Sequence, residues 1–362
     1  MVLIAAVLII SVIPTQTPSF LRVPDSEIQP QCVQDSAGNL FLLSYKGDPY
    51  NGNLVLRESH DEGQTFSSPI PVNSIPNSAI AVGNIRGGQL ALGKDGSIHV
   101  VWNSSGPEGN KVVYANKESK ARTFTRQVAV HGKTTSIDGG ASIAADANGN
   151  VYVVWHANEK VGQKEVDRKL WLARSSDNGE HFSLPIPVWT RNTGACGCCS
   201  VKALTDRNGK VLIAYRAATD EIHRDTFFLE SDPSGRNFTG NRVHAWDLNY
   251  CPMSSYSMLA DNFDSTISWE TKNQIFCRFK GKIIPISPQN QKAQHPFLCR
   301  NSVGETIVTW TIDVGWNTGG SLGWCVLDAT GTPRQSGSRP GVPTWSLVSA
   351  FAKANNQFII VY

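Results

Sequence analysis

Along most of the chain, apolar and polar residues alternate in short runs that follow a polar turn and end in an aromatic. DSAGNLFLLSY closes at Tyr45, GKDGSIHVVW at Trp102, DANGNVYVVW at Trp155 and DRNGKVLIAY at Tyr215. Weaker copies, DNFDSTISW, NSVGETIVTW and ANNQFIIVY, close at Trp269, Trp310 and Tyr362. Asn-Gly and Asp-Gly steps between alternating runs are strong hairpin signals, because these residues accept the positive φ of a tight turn. Each copy therefore predicts two antiparallel strands. The copies recur at intervals of roughly 40 to 60 residues, the length of one four-stranded propeller blade. The count favours seven blades over six in an all-β chain, with 21–362 as a single β-propeller domain.

A second repeat lies between the hairpins. Ser59-His60-Asp61-Glu62-Gly63-Gln64-Thr65-Phe66 and Ser175-Ser176-Asp177-Asn178-Gly179-Glu180-His181-Phe182 share one spacing, and 117–124 reads as a decayed third copy. These are the residue types of a structural turn. The Asp accepts bonds from its own loop, the Gly takes a positive φ, and Phe66 or Phe182 anchors the turn in the blade. Together with the hairpins, the octapeptides resemble the Asp-boxes, or BNR repeats, of the sialidase-like propeller family, which sit between the third and fourth strands of a blade. The resemblance implies a sialidase-like β-propeller with the octapeptides and inner-hairpin turns on one face. Ligands are then expected on the other face, where the blade-to-blade linkers and the loops after each closing aromatic gather.

The same resemblance implies site residues. Leu21-Arg22-Val23-Pro24 is similar to the sialidase opening whose Arg grips a substrate carboxylate, which makes Arg22 one anion-binding candidate. Arg216, directly after DRNGKVLIAY, matches a second, and Arg300 is a loosely aligned third. A planar guanidinium can hold a carboxylate by two parallel charge-assisted bonds. Asp48 stands where the family has its acid–base Asp, although an Asp-Pro step is equally an ordinary turn starter. Two positions depart from the family. Cys198 stands in place of the Glu that polarises the tyrosine nucleophile, and Trp345 in place of the tyrosine itself. A neutral thiol cannot do a carboxylate's work, and an indole can stack on a sugar but cannot form the glycosyl–enzyme bond. The expected function is therefore binding or hydrolysis of glycosides without ordinary sialidase activity. A non-catalytic carbohydrate- or protein-binding propeller is the alternative, and a Cys-rich metal or redox site a third reading.

That third reading rests on a constellation on the same predicted face: Cys196, Cys198 and Cys199 in one linker, His223, Arg224 and Asp225 in the next loop, and Cys251 beyond. Disulfides are open, with Cys196 or Cys199 tied to Cys251, or an adjacent Cys198–Cys199 bridge. The crowded Cys-Gly-Cys-Cys run is read as lacking the spacing of a zinc knuckle, and no metal or cofactor is assigned.

Composition narrows the setting. A hydrophobic share of 40%, a charged share of 17%, 31 Gly, 19 Pro and 10 Trp suit a turn-rich β chain with a packed core. A net charge of +3, spread along the chain, offers no basic stripe for nucleic acid. The expected partner is a carbohydrate or other acidic small ligand. Met1 to Ile13 is an uncharged apolar run, too short to cross a bilayer of about 30 Å but suited to a signal peptide, assigned to 1–20. No later segment could span a membrane. The expected destination is the medium or periplasm, or retention through an uncleaved apolar segment, and 8 Cys agree with an oxidising compartment.

Overall fold

The polar turns that punctuate the sequence work by one local device. Asp35 Oδ1 accepts the amides of Ala37 and Asn39, both at 2.9 Å. Asp146 does the same for Asn148 and Asn150, and Asp206 for Asn208 and Lys210. The Asp thus satisfies the turn's own donors while the Gly that follows takes the positive φ. The computed structural model describes residues 16–106, 109–189, 191–260 and 265–362. The apolar run Met1 to Ile13 and the turn of the fifth copy, 261–264, lie outside them.

Each hairpin copy grows into one blade, and the described residues form seven sheets. Six have four strands; in the first these are Ile28–Gln34, Leu40–Asp48, Asn51–Ser59 and Ile70–Pro71, paired in chain order. The seventh has two consecutive strands, Ser349–Ala352 and Phe358–Val361, and takes its third from the other end of the chain. Ser19–Leu21 runs parallel to Ile359–Val361, which closes the ring. Ser19 and Phe20, placed by the sequence reading in the leader segment, thus belong to the folded propeller. The innermost strands pack against one another in blade order, and that of blade seven returns to that of blade one.

All seven closing aromatics are buried between blades, from Trp155 and Trp269 at 0% exposure to Tyr362 at 3%. Towards the axis, polar side chains staple neighbouring blades. Ser349 Oγ accepts the Cys32 amide, Ser142 Oγ that of Ala203 and Ser257 Oγ that of Leu298, each at 2.9 Å. These bonds satisfy backbone donors that face the channel and have no strand partner there. Among the described residues, no helix is long and apolar enough to cross a membrane.

Strand register sorts the loops. In blade one Leu40 pairs Ser59 at one end and Asp48 pairs Asn51 at the other. In blade four Thr205 pairs Val211 at the turn end, and Arg216 pairs Thr226 at the opposite end. Asp61 and Asp177 therefore share the face of the inner-hairpin turns, away from Asp48 and Arg216. The two octapeptides fold alike. Asp61 accepts from Ser59 Oγ at 2.8 Å and from the Thr65 amide at 2.9 Å, and Asp177 accepts from Ser175 Oγ and the His181 amide. A Cβ on Gly63, at φ 79°, would lie 2.7 Å from Phe351, and one on Gly179, at φ 89°, 1.8 Å from the Tyr114 hydroxyl. Phe182 meets Tyr114 edge-on at 4.8 Å, and Phe66 packs on the core cluster that holds Phe351. Each octapeptide thus locks its blade onto an aromatic of the preceding one. A further turn of this type, 231–238, escapes the sequence reading because its Asp is one place early. Asp232 accepts from Ser234, Arg236 and Asn237, and Gly235 rests on Tyr152.

Candidate functional site

On the linker face, the residue after a closing aromatic is polar and buried in five blades: Asn103, His156, Arg216, Glu270 and Thr311. The pattern follows from the fold. The second strand ends there beneath the next linker, whose irregular backbone leaves carbonyls unpaired. Asn103 Nδ2 donates to Gly139 O at 3.0 Å and His156 Nε2 lies 2.7 Å from Cys199 O, whereas Thr311 Oγ1 donates within its own blade, to Gln294 O of the paired strand, at 3.0 Å.

Arg216 is the most committed of the five. Its Nε donates to Ser254 Oγ at 2.7 Å, one terminal nitrogen to Arg224 O at 2.7 Å and the other to Glu270 O at 2.5 Å. The guanidinium also lies over the Trp246 ring at 4.7 Å, with 1% of the residue exposed. The expectation of a substrate-gripping Arg216 is corrected by this geometry, since each nitrogen already donates to the protein and the side chain is sealed from solvent. The remaining Arg candidates do not gather around it. Arg22 is exposed beside the closing strand, donating to Gly341 O at 3.0 Å and covering the Tyr362 ring. Arg300 ends its strand at the turn face, donating to Thr306 and Thr266.

The four linker cysteines converge beside Arg216. Cys198 is bonded to Cys251, with Cα atoms 6.2 Å apart. The bridge to Cys251 therefore comes from Cys198 rather than from Cys196 or Cys199, and no Cys198–Cys199 bond forms. Cys196 and Cys199 are buried free thiols whose sulfurs lie 2.8 Å apart. They are themselves a Cys-x-x-Cys pair, a spacing hidden in the sequence by the intervening Cys198. The sulfurs of Cys196, Cys198 and Cys199 lie within 4.8 Å of one another, but the disulfide removes Cys198 as a metal-binding thiolate. Burial works against a charged Cys199, yet contact with Cys196, the Arg216 charge and the Ser254 hydroxyl prevail and bring it down to about 7, while Cys196 is pushed well up.

His223, Arg224 and Asp225 do not form one site. His223 is exposed and lies 2.7 Å from Asp247; Asp225 accepts the Trp246 amide at 2.9 Å; only Arg224, paired with Glu165 at 2.7 Å, faces the cysteines.

Beyond the disulfide opens a cavity of about 290 Å³, near the lower bound of small-ligand sites. Trp246, Tyr250 and Trp316 wall it, Cys251 and His295 reach it, and Glu270 is among its lining residues. Trp345 extends the aromatic wall, edge-on to Trp316 at 6.3 Å and to Tyr50 at 6.0 Å. Its φ of 56° is costly for a bulky residue, but Gln29, Asn84, Ser136, Met253 and His295 make similar left-handed kinks in other blades, so the bend belongs to the fold. Glu270 is 1% exposed and neither carboxylate oxygen has a hydrogen-bond partner. Burial drives it up to about 8, with the Cys199 charge adding and Arg216, Lys292 and Gln294 opposing. The sequence reading missed Glu270, although it follows Trp269 in the same phase as Arg216 follows Tyr215. Asp48 is exposed at its hairpin tip, where Oδ1 accepts the amides of Tyr50 and Asn51 at 2.9 and 3.2 Å.

The fold resembles that of solved propellers. A GH93 α-L-arabinofuranosidase of Fusarium graminearum, solved with arabinobiose, superposes with a TM-score of 0.55 at 12% identity over 79% of this chain and 88% of that one. A Penicillium chrysogenum α-L-arabinanase, also with arabinobiose, gives 0.56 at 14% identity over 85% and 94%. A Trypanosoma rangeli sialidase gives 0.54 at 12% identity over 82% of this chain and 54% of that one. The fold is a sialidase-like β-propeller. No family model matches the chain, and no curated protein matches it.

Proposed function

We propose that this propeller is an exported carbohydrate-binding protein whose ligand enters the cavity between Trp246, Tyr250 and Trp316 and meets the Glu270 carboxyl. The observation that carries the reading is Glu270: a buried carboxyl whose oxygens have no hydrogen-bond partner, on a residue that lines an aromatic-walled cavity. Burying a polar group without a partner is costly, so such a group is normally retained for what it meets when the site fills. Held up to about 8, the carboxyl is chiefly protonated at neutral pH and can donate a hydrogen bond to a sugar oxygen. The Trp316 indole, half exposed, offers a flat apolar face to the C–H side of the ring. On this reading the octapeptides are Asp-boxes with a structural role, and Met1 to Ile13 belongs to an export leader.

Binding is favoured over hydrolysis because glycosidases of the usual kind need two carboxylates. Among the described residues lining the cavity, Glu270 is the single acid. It could serve as a proton donor, but the described cavity lining offers no second carboxylate as nucleophile or base. Sialidase chemistry is disfavoured further by the committed guanidinium of Arg216 and by the indole of Trp345.

The test is calorimetry against a panel of neutral and acidic oligosaccharides that includes arabinobiose, with an aryl sialoside assay alongside. The expected result is affinity for a panel member, weakened about tenfold or more by Trp316→Ala and altered by Glu270→Gln, with sialoside turnover near background. Affinity untouched by both substitutions, or none across the panel, would remove the reading.

A further inference from the structure

We propose that the four linker cysteines form a thiol–disulfide exchange relay, in which the buried Cys196/Cys199 dithiol exchanges with the Cys198–Cys251 disulfide and delivers a thiol to the surface at Cys251. The inference is independent of sugar binding. It starts from the sulfur positions: Cys196 Sγ is 2.8 Å from Cys199 Sγ and 3.5 Å from Cys198 Sγ. The buried dithiol therefore touches the disulfide, and no backbone movement is needed to bring nucleophile and target to an attack distance. At its other end the disulfide reaches Cys251, which is exposed and lines the cavity.

The surroundings equip the pair for exchange, whose nucleophile is the thiolate. Arg216 Nε donates to Ser254 Oγ, leaving the serine proton free to point at Cys199 Sγ, 3.4 Å away. Positive charge reaches the pair from Arg216, Arg224 and Arg168, and negative charge from Glu165. Glu270 stays protonated until about 8, burial holds His156 neutral with a value of about 4, and the Tyr256 phenol is held protonated. A buried guanidinium committed to the protein thus finds a use the ligand-grip reading did not offer, as the counter-charge for a buried thiolate.

The step balances without an outside oxidant. Cys199 in its thiolate form takes the proton of Cys196 across their contact. The Cys196 thiolate attacks Cys198 Sγ, the Cys196–Cys198 bond forms, the Cys198–Cys251 bond breaks, and Cys251 leaves as a thiolate that picks up a proton from water. Cys199, losing its proton to solvent, then attacks Cys196, forms the Cys196–Cys199 bond and releases Cys198 as a thiolate, which is protonated in turn. One disulfide and two thiols stand on each side.

The experiment uses the undenatured wild-type protein. It is incubated with N-ethylmaleimide without reductant, quenched, digested with trypsin and mapped unreduced; 192–202 carries Cys196, Cys198 and Cys199, and 243–272 carries Cys251. The relay predicts that the two peptides separate. The first then holds one internal disulfide and one maleimide, the second one maleimide, and the rate of separation rises with pH up to and through about 7. Cys196→Ala slows separation by about tenfold or more. Cys199→Ala removes the base that takes the Cys196 proton, so separation slows, and what does react stops at the Cys196–Cys198 bond with Cys251 labelled. Peptides that stay cross-linked, with Cys196 and Cys199 labelled only after denaturation, overturn the proposal. So does wild-type protein in which all four cysteines are already oxidised.

Discussion

The two faces of the propeller carry the same chemical group in opposite states. On the turn face, Asp61 accepts bonds from Ser59, the Thr65 amide and the Thr65 hydroxyl, and those bonds bring it down to about 2. Asp177, Asp232 and Asp328 are held still lower by the hydrogen bonds of their own turns. On the linker face, Glu270 is sealed from water with neither carboxylate oxygen in a well-formed hydrogen bond, and burial drives it up to about 8. The contrast separates architecture from chemistry more cleanly than residue type does. A saturated carboxylate is a finished structural part, whereas an orphaned one is incomplete until something binds.

The sharpest way to break this comparison is Arg216→Ala. If the linker face is built around buried, mutually dependent polar groups, the loss leaves Ser254 and two carbonyls without a donor and opens space against Trp246. Leaving a buried polar group unsatisfied costs about 1–3 kcal/mol for each of the three, which urea unfolding would register as a large fall in midpoint. A variant of wild-type stability that had lost only ligand affinity would return Arg216 to the role of an exposed grip.

Glu270 gives the next largest effect, and its sign is fixed by linkage. Its folded value of about 8 lies above the ordinary 4.5, so within that window the native state holds a proton that the unfolded chain has released. The stabilisation is complete below the window and lost as pH rises through it, by on the order of 5 kcal/mol in all. Glu270→Gln should flatten this decline, leaving a more level melting-temperature profile between acidic and mildly alkaline pH. An identical slope in both proteins would mean that water or a neighbour satisfies the carboxylate.

The turn face offers a smaller and paired test. Gly179 and Gly209 both have left-handed φ, 89° and 78°, but a Cβ at Gly179 would strike Tyr114, whereas Gly209 faces open space. Gly209→Ala should cost about 1 kcal/mol, the backbone penalty alone. Gly179→Ala should cost about 1–3 kcal/mol more because the Cβ overpacks the blade junction. Equal losses would show that the octapeptide does not lock neighbouring blades.

Legibility in the sequence follows the range of the interaction. The hairpins were readable because Asp35, Asp146 and Asp206 act within four residues of themselves, and repetition turned those local signals into a blade count. Ring closure was not, since three residues at Ser19–Leu21 pair with the far end of the chain in a parallel register that no local pattern announces. Arg216 was found by its phase but misread in role, because Ser254 and Glu270, which occupy it, come from the next blade. Glu270 shares that phase, so reading the position after every closing aromatic would have found it. The cysteine pairing depends on side-chain directions in two linkers, which spacing does not encode.

Asp48 is expected to give the smallest effect, and that is why it matters. Its resemblance to the family's acid rests on position alone, and in the structure Oδ1 caps the hairpin tip by accepting the Tyr50 and Asn51 amides. Asn presents the same acceptor in the same place, so Asp48→Asn should change stability by less than about 0.5 kcal/mol, as exposed substitutions usually do. Oligosaccharide affinity should also stay within about twofold, because nothing in the 290 Å³ cavity depends on this carboxylate. An acid catalyst would behave otherwise: Asn keeps the turn but cannot donate the proton, so any turnover would collapse while the melting temperature held. Asp48→Asn and Glu270→Gln measured side by side therefore decide which carboxyl the ligand meets. A large loss of binding or turnover in the first and none in the second would move the site to the hairpin tip, onto a carboxylate that the comparison classes as structural.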